Sequence, residues 1–502
     1  MHEIELKLQV PPARLAEVQA AVAGRQPAPV MRLRAAYFDT ADRRLAGAAI
    51  ALRLRREGRR WVQTLKGAGD DGLTRQEHNV PRGGAPAMPA IDPGLHAGMP
   101  VGDRLLALLG TAPVMPLQTL YRTDIARHVR ELRVRAAGAP AARVELAFDR
   151  GRIEADPHVL PVGELEIELL AGTPRAVIET ARRWQARHGL WIDLRSKAER
   201  GDLLARGERI APARRAAASR VERSMDVAGA WQTVLRGCAD QILGNASQIA
   251  SGESTAEHVH QLRIGLRRLR SAGALFETPD AALMDGAATL FRQLGAARDA
   301  AVVLDEFGGA IETALRRAGL EAPSTDTNAP SSNAPADTVR ATAAQAWLLD
   351  LLGAMQPDDA TTDVAPPPLR PMLAARLDRW HRQIVGAAAR YADLDDAERH
   401  RLRKRAKRLR YASEFCAPLF GRRAVRRYLK ALQAVQERLG AVSDAVMAAD
   451  SFSGRASVDP QAMFALGWLS ARREALVAAA LPDLKAFAKA ERFWTKALKQ
   501  RD

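Results

Sequence analysis

Met1-His2-Glu3-Ile4-Glu5-Leu6-Lys7-Leu8 opens the chain with charged side chains at 3, 5 and 7 alternating with Ile4, Leu6 and Leu8. A period of two is the signature of a β-strand, which sets Glu3, Glu5 and Lys7 on one face and the aliphatics on the other. Same-face side chains on a strand lie about 6.5–7 Å apart. Two carboxylates at that spacing repel by about 2.4 kcal/mol at an effective dielectric near 20. Water tolerates this, whereas a protein interior tolerates it only with a cation between them. The other face has to be buried.

Outward from this strand the same alternation recurs to about residue 205. Pro11-Pro12 leads into a short helix, Ala13 to Ala23, and extended runs are expected at about 31–40, 50–56, 60–66 and 73–80. The Pro/Gly-rich stretch 81–102 reads as loop and 103–109 as a short helix. Strand patterns resume at about 117–136, 142–149 and 163–170, and helical spacing follows over 174–188 and Asp193–Leu204. Many strands joined by short turns indicate an antiparallel sheet or closed barrel rather than βαβ units.

The parity of the charges carries the functional signal. Arg53 and Arg55 share a face, as do Thr64 and Lys66, Arg75 and Glu77, Arg133 and Arg135, and Glu145 and Asp149. Glu164-Leu165-Glu166-Ile167-Glu168 sets three carboxylates on one face. One polar-out strand is unremarkable, but here nearly every strand carries charge and the signs segregate by strand. An anionic substrate on the basic strands and a metal on the acidic ones accounts for both. Oxygen-only ligands favour Mg²⁺ or Mn²⁺ over Zn²⁺, and such a site suits phosphoryl transfer.

Composition agrees. The 502-residue chain carries a formal net charge of +17, which points to a polyanionic partner. Cys238 and Cys416 are the only two cysteines, so neither a disulfide framework nor a cysteine zinc site is expected. No apolar run reaches the ~18 residues of a membrane span, and the charged strand begins by residue 3. Charge alone does not choose among nucleic acid, anionic lipid and polyphosphate; no membrane partner and a cytoplasmic location are expected. Gly67-Ala68-Gly69-Asp70-Asp71-Gly72 matches G-x-G-x-x-G but is followed by a strand pattern, so it reads as a hairpin turn rather than a dinucleotide fingerprint.

Glu3-x-Glu5-x-Lys7, Arg53-x-Arg55, Lys66, Glu166-x-Glu168 and Ser196-Lys197 resemble, in order, the motifs of the CYTH superfamily, the triphosphate tunnel metalloenzymes. The resemblance covers 1–205 and implies an eight-stranded antiparallel β tunnel that binds a triphosphate and hydrolyses it with a divalent metal. It implies metal ligation by Glu3, Glu5, Glu166 and Glu168. It implies substrate binding by Lys7, Arg53, Arg55, Lys66, Arg127, Arg135 and Lys197, with Glu5, Lys66 and Lys197 in catalytic roles. Glu145 and Asp149 match further acidic positions. The choice among Arg122, Arg127, Arg133 and Arg135 depends on strand register.

After a basic, Ala-rich linker at 206–222, the alternation gives way to Leu/Ala-rich segments of helical spacing, interrupted by polar or Pro-rich loops at 321–338 and 356–371. His260-Gln-Leu-Arg263-Ile-Gly-Leu-Arg267-Arg268-Leu-Arg270 aligns with His400-Arg-Leu-Arg403-Lys404-Arg-Ala-Lys407-Arg408-Leu-Arg410 at an offset of 140 residues. Leu294-Gly295-Ala-Ala-Arg298-Asp299 aligns with Leu439-Gly440-Ala-Val-Ser443-Asp444 at an offset of 145. Matched signatures in order indicate a duplicated helical unit, about 223–340 and 371–502. On a helix, His260, Arg263, Arg267 and Arg270 fall within about 80° of one another, as do His400, Arg403, Lys407 and Arg410. Arg422, Arg423, Arg426, Arg427 and Lys430 add to the charge.

This pattern resembles CHAD, the conserved histidine α-helical domain, over 223–502. It implies an all-α domain of two tandem four-helix units that binds inorganic polyphosphate through these His, Arg and Lys residues and Arg298; Ser443 stands where the second copy would repeat Arg298. The tandem order is similar to bacterial inorganic triphosphatases, so hydrolysis of inorganic triphosphate to pyrophosphate and phosphate is the expected reaction. Nucleoside triphosphatase or class IV-type adenylyl cyclase activity is the alternative, and a non-catalytic polyphosphate-binding protein a further one. Nucleic acid is not the expected partner, because the basic stripes lack interleaved aromatics.

Overall fold

A computed structural model describes residues 2–24, 30–68, 74–110, 116–135, 141–278, 280–295, 298–320, 335–356 and 368–498. Residues 69–72 of the G-x-G-x-x-G stretch and most of the two expected loops at 321–338 and 356–371 lie outside these residues. Strands β1 (His2–Gln9), β2 (Met31–Asp39), β3 (Ile50–Glu57), β4 (Arg60–Ala68), β5 (Thr74–Pro81), β6 (Gln118–Val134), β7 (Ala142–Ala155), β8 (His158–Ala171) and β9 (Trp191–Ile192) form one sheet. Helices α1 (Leu15–Ala23), α2 (Arg44–Gly47), α3 (Pro100–Leu109), α4 (Pro174–His188) and α5 (Lys197–Ala205) accompany it.

The expected eight-stranded tunnel is corrected to a nine-stranded antiparallel sheet in the order β5-β4-β3-β2-β6-β7-β8-β1-β9. The ninth strand lies beside β1, with Ile192 opposite Leu8 and Trp191 opposite Gln9. Among the described residues β1 also meets β5, at the three positions His2, Glu3 and Ile4. A two-residue strand has no alternation to read, which is why β9 escapes a period-based search. β7 and β8 extend well past the expected 142–149 and 163–170, because Gly151, Pro161 and Gly163 interrupt the polar and apolar alternation there.

Parity sorts the side chains as the opening strand requires. Leu6 and Leu8 of β1, Leu165 and Ile167 of β8, and Val144, Leu146 and Phe148 of β7 are fully buried. They lie on the face that packs against α4, whose Val177, Ile178 and Ala181 are buried in turn. Across β3 and β4, Ile50, Leu52 and Leu65 pack with Val101, Leu105 and Leu109 of α3. The opposite face carries the charges, and Leu204 of α5 joins Tyr37, Tyr121, Ile125 and Ile153 in an apolar cluster at one end of it. Gly201 is required there, because a Cβ would lie 2.3 Å from the Tyr121 ring. α5 begins at Lys197, four residues later than expected, on a capping box of Ser196 and Glu199.

The remaining helices are α6 (Val227–Ala250), α7 (Ala256–Phe276), α8 (Ala281–Gln293), α9 (Arg298–Arg317), α10 (Pro335–Arg340), α11 (Thr342–Ala354), α12 (Leu369–Ala388), α13 (Asp396–Cys416), α14 (Arg422–Ser453), α15 (Pro460–Ala488) and α16 (Thr495–Leu498). None of the described helices is long and apolar enough to cross a membrane. The chain divides into two compact units: Met1–Arg215 with Asp240–Leu262 and Pro335–Asp359, and Ala216–Ala239 with Arg263–Ala334 and Ala360–Asp502. In the first unit α11 serves the sheet directly. Gln345, fully buried, accepts a 2.8 Å hydrogen bond from the backbone N–H of Ile192 in β9.

Candidate active site and basic helices

The charged face of the sheet lines a cavity of about 540 Å³. β1 contributes Glu3, Glu5 and Lys7, β3 contributes Arg53 and Arg55, and β4 and β5 contribute Lys66, Glu77 and Asn79. Arg127 of β6, Asp149 of β7, Glu166 and Glu168 of β8, and Ser196 and Lys197 at the start of α5 complete it. Register rather than sequence proximity unites these residues. Glu5 lies directly opposite Glu168, and Glu168 directly opposite Glu145. Lys7 faces Glu166, while Gln9, Glu164, Asp149 and Arg127 form a parallel row.

The two carboxylate groups differ in how their charge is met. Asp149, Glu164 and Glu166 offer oxygens within 4.8 Å of one another, a buried acidic cluster able to hold a metal ion. Lys197 Nζ reaches all three, at 2.6 Å from Asp149 and 3.0 Å from Glu166. Arg127 forms a fork on Asp149, with both contacts at 2.7 Å, and also pairs with Glu166, while Arg200 pairs with Glu164. Three cations thus balance three anions. Although burial acts to raise them, Glu164 is held low by Arg200 and Lys197, and Glu166 by Lys197 and Arg127.

The row of Glu5, Glu168 and Glu145 is supplied less well. Glu5 pairs with Lys7. Burial raises the Glu168 carboxyl and its neighbours Glu145 and Glu5 raise it further; burial also raises Glu145. Beside this row, burial and then a hydrogen bond with Glu77 raise the Glu3 carboxyl, whose oxygen lies 3.0 Å from Lys66 Nζ. Directly opposed like charges destabilise a sheet, and an all-oxygen set of this kind fits a hard divalent cation.

Of the expected metal ligands, Glu166 therefore sits in the Lys197 cluster, and Glu3, Glu5 and Glu168 lie together at the acidic row. Of the expected substrate ligands, Lys7, Arg53, Arg55, Lys66, Arg127 and Lys197 all line the cavity. Arg135 does not: it is exposed one residue beyond the end of β6, and its carbonyl accepts a hydrogen bond from Arg183. Eight residues of strand past Arg127 carry it about 26 Å along the sheet. Arg122 and Arg133 are also exposed, so register selects Arg127.

Arg53 is distinctive among the cavity cations. Among the described residues it has no carboxylate partner; its guanidinium donates to the Tyr37 hydroxyl at 3.1 Å, and its Nε is buried without an acceptor. Tyr37 is 4% exposed and stacks on Tyr121 with ring centroids 4.7 Å apart. Tyr37 and Arg200 were not singled out by sequence reasoning, and Glu164 was noted only as a member of the acidic triplet without a role. Parity with Leu33 and Ala35 marks Tyr37, the acidic triplet marks Glu164, and Arg200 lies one helical turn beyond Lys197.

In the second compact unit, Arg263 and Arg267 of α7 lie over the Phe291 ring of α8, at 4.8 and 5.4 Å from its centroid. Arg403 of α13 donates to Ser443 Oγ at 2.9 Å and approaches Asp444 at 3.4 Å. Arg410 holds Glu414 and Gln436. Lys407 is pushed down to about 7, first by burial and then by Arg267 and Arg403, so the two basic stripes converge. Arg268, on another side of α7, ties the helices together through Glu414 at 2.6 Å. Arg270 and His400 are exposed. His260 is exposed too, and falls within the first compact unit. Arg298 opens α9, and its side chain lies outside the described residues.

With the fold and site established, comparison with known proteins assigns the class: residues 1–201 match the CYTH domain and residues 233–453 the CHAD domain. The chain is a CYTH domain joined to a CHAD domain. The chain is 28% identical over 173 residues to the inorganic triphosphatase of Haemophilus influenzae, a match spanning 34% of this chain and 44% of that protein. The CHAD domain of the plant Ricinus communis is 28% identical, with a TM-score of 0.42 over 56% of this chain and 97% of that one. The Hippeastrum adenylyl cyclase candidate HpAC1, reported with a dominant triphosphatase activity, is 19% identical, with a TM-score of 0.28 over 41% of this chain and 96% of that one.

Proposed function

We propose that the cavity hydrolyses inorganic triphosphate to pyrophosphate and phosphate with Mg²⁺ or Mn²⁺, and that the helical unit binds inorganic polyphosphate. The observation that carries the reading is one cavity in which Glu3, Glu5 and Glu168 share space with Arg53, Arg55 and Lys66. Similarity to the Haemophilus inorganic triphosphatase supports the substrate class.

Glu3, Glu5 and Glu168 would hold the metal, which when bound withdraws charge from the phosphate oxygens. Arg53, with its unpartnered Nε, and Arg55 receive the anionic chain, and Lys66 and Lys7 hold it beside the carboxylates. The cavity confines the chain to one orientation, and positioning of this kind with charge neutralisation supplies most of phosphoryl-transfer catalysis. Lys197 and Arg127 keep Glu166 ionised, so Glu166 is available to accept a hydrogen bond from the attacking water.

Phosphate release from tripolyphosphate with Mg²⁺ tests the reading, with ATP as competitor. Release should fall by at least about 100-fold in Glu5→Gln, the scale of removing one electrostatic partner of the reacting groups. Undiminished release, or faster turnover of ATP than of tripolyphosphate, would reject it.

A further inference from the structure

A second cavity, about 680 Å³, opens within the helical unit between α12 and the segment that joins α15 to α16. His381 of α12 forms part of its wall, although only 4% of the residue is exposed. The imidazole packs against Phe487, Tyr428 and Trp494, with centroids 5.1, 5.9 and 6.0 Å away. Its Nδ1 lies 2.9 Å from the Tyr428 hydroxyl.

This contact sets the tautomer. Tyr428 is 1% exposed, and the imidazole is the sole polar partner of its hydroxyl among the described residues. A buried O–H with no acceptor costs more than an oxygen with a spare lone pair, so Tyr428 donates and Nδ1 accepts. The ring proton then resides on Nε2, which has no hydrogen-bond partner among the described residues. Burial and the nearby Arg492 keep the ring neutral, with its pKa lowered to about 4.

Besides His381, the cavity is lined by Arg382, Lys489 and Arg492. Asp378 fixes both guanidiniums, at 3.0 Å from Arg382 and 2.6 Å from Arg492, and takes the Trp494 indole N–H at 3.2 Å. Glu491, the one carboxylate of the lining, is turned to Arg427 at 2.9 Å. Val385, Gly386, Ala488 and Ala490 add apolar surface, and Thr495, whose hydroxyl donates to the Arg492 carbonyl at 2.8 Å, completes the lining. Three basic side chains and an imidazole N–H beside apolar surface match an anion that carries apolar bulk.

We propose that this cavity is a binding site for a small phosphate anion, free or as an organic monoester, held by His381 Nε2–H, Arg382, Lys489 and Arg492. It is separate from the sheet cavity and from the basic stripes of α7 and α13. The full chain should be titrated with inorganic phosphate and, separately, phenyl phosphate while the His381 ring resonances are followed, assigned by their loss in His381→Asn. Both probes should shift those resonances in the millimolar range or below. Tighter binding of phenyl phosphate identifies organic monoesters as the source, and equal binding identifies the free anion.

R382Q/K489Q alters two exposed rim residues and should weaken binding at least about tenfold. Y428F, which frees the tautomer without changing charge, should weaken it as well. Calorimetric titration of wild type against R382Q/K489Q reads the same difference should the histidine variant not fold. Static His381 resonances throughout the titration, or equal affinity of the rim variant and wild type, would overturn the proposal.

Discussion

Lys197 stands where a cation has to stand. Its ammonium sits among Asp149, Glu164 and Glu166, and those three charges hold its pKa above the usual lysine value even though burial works against it. Breaking a buried ion network by deleting one member costs about 3–5 kcal/mol, because the remaining charges are left uncompensated. Lys197→Met should lose that much stability in denaturant titration, and Mg²⁺ or Mn²⁺ should restore part of it by occupying the vacated position. Wild type should respond less. Tyr37 makes a finer test. Tyr37→Phe removes the hydroxyl that orients Arg53 and should lower kcat/KM for tripolyphosphate about tenfold, the worth of a hydrogen bond to a charged group, with the melting temperature nearly unchanged. At this scale the sequence was legible where parity sufficed: Glu3, Glu5, Lys7, Arg53, Arg55 and Lys66 all reach the cavity. It was illegible where register decides, since Arg135 and Arg127 share parity on one strand and only Arg127 meets Asp149.

Among the elements, those with a sustained period were readable and those without one were not. α4 runs over the expected 174–188, with its apolar stripe turned to the sheet. The stretch 81–102, expected to be loop, instead carries a short 3₁₀ turn at Pro93–His96 and the first residues of α3. What holds this segment is chemistry that no pattern announces. His96 is fully buried, with its ring nitrogens 2.9 Å from His78 and 3.0 Å from Gln63. Gly102 permits the closure, since a Cβ there would lie 1.7 Å from the His96 carbonyl oxygen. Burial and then His78 lower His96 to about 4, while Asp92 opposes this weakly. A depressed histidine contributes stability that is complete above its unfolded value near 6.5 and is lost as pH falls through that value toward 4. Hydrogen-exchange protection over 92–103, taken relative to the intrinsic rate at each pH, should therefore fall between pH 6.5 and 4, and His96→Asn should remove that dependence.

For the whole molecule, the excess of +17 is not spread evenly, and its steepest concentration meets a titratable group. Lys407 lies at about 7 in the free protein because Arg267 and Arg403 crowd it once burial has disfavoured its charge. A bound polyanion reverses that field and raises the pKa. Below pH 7 the lysine is already charged, so polyphosphate affinity should be flat there. Above pH 7 binding has to take up a proton, so affinity should fall with rising pH, by at most about tenfold per pH unit. Lys407→Arg should abolish the slope, measured by calorimetry at constant ionic strength, because added salt alone also weakens polyanion binding.

The hydrogen bond from Ile192 to Gln345 has a consequence in time as well as in space. β9 closes the row of strands, and a bare terminal strand invites pairing with another chain. Its cover is encoded more than 150 residues downstream. A chain emerging from the ribosome completes its sheet long before α11 exists to shield the margin, and at about 5–20 residues per second that interval lasts roughly ten to thirty seconds. Nascent chains should be most prone to self-association in that window. A fragment ending at residue 205 should sediment as aggregates under conditions in which the full chain stays dispersed, and adding 335–359 through a flexible tether should restore its dispersion.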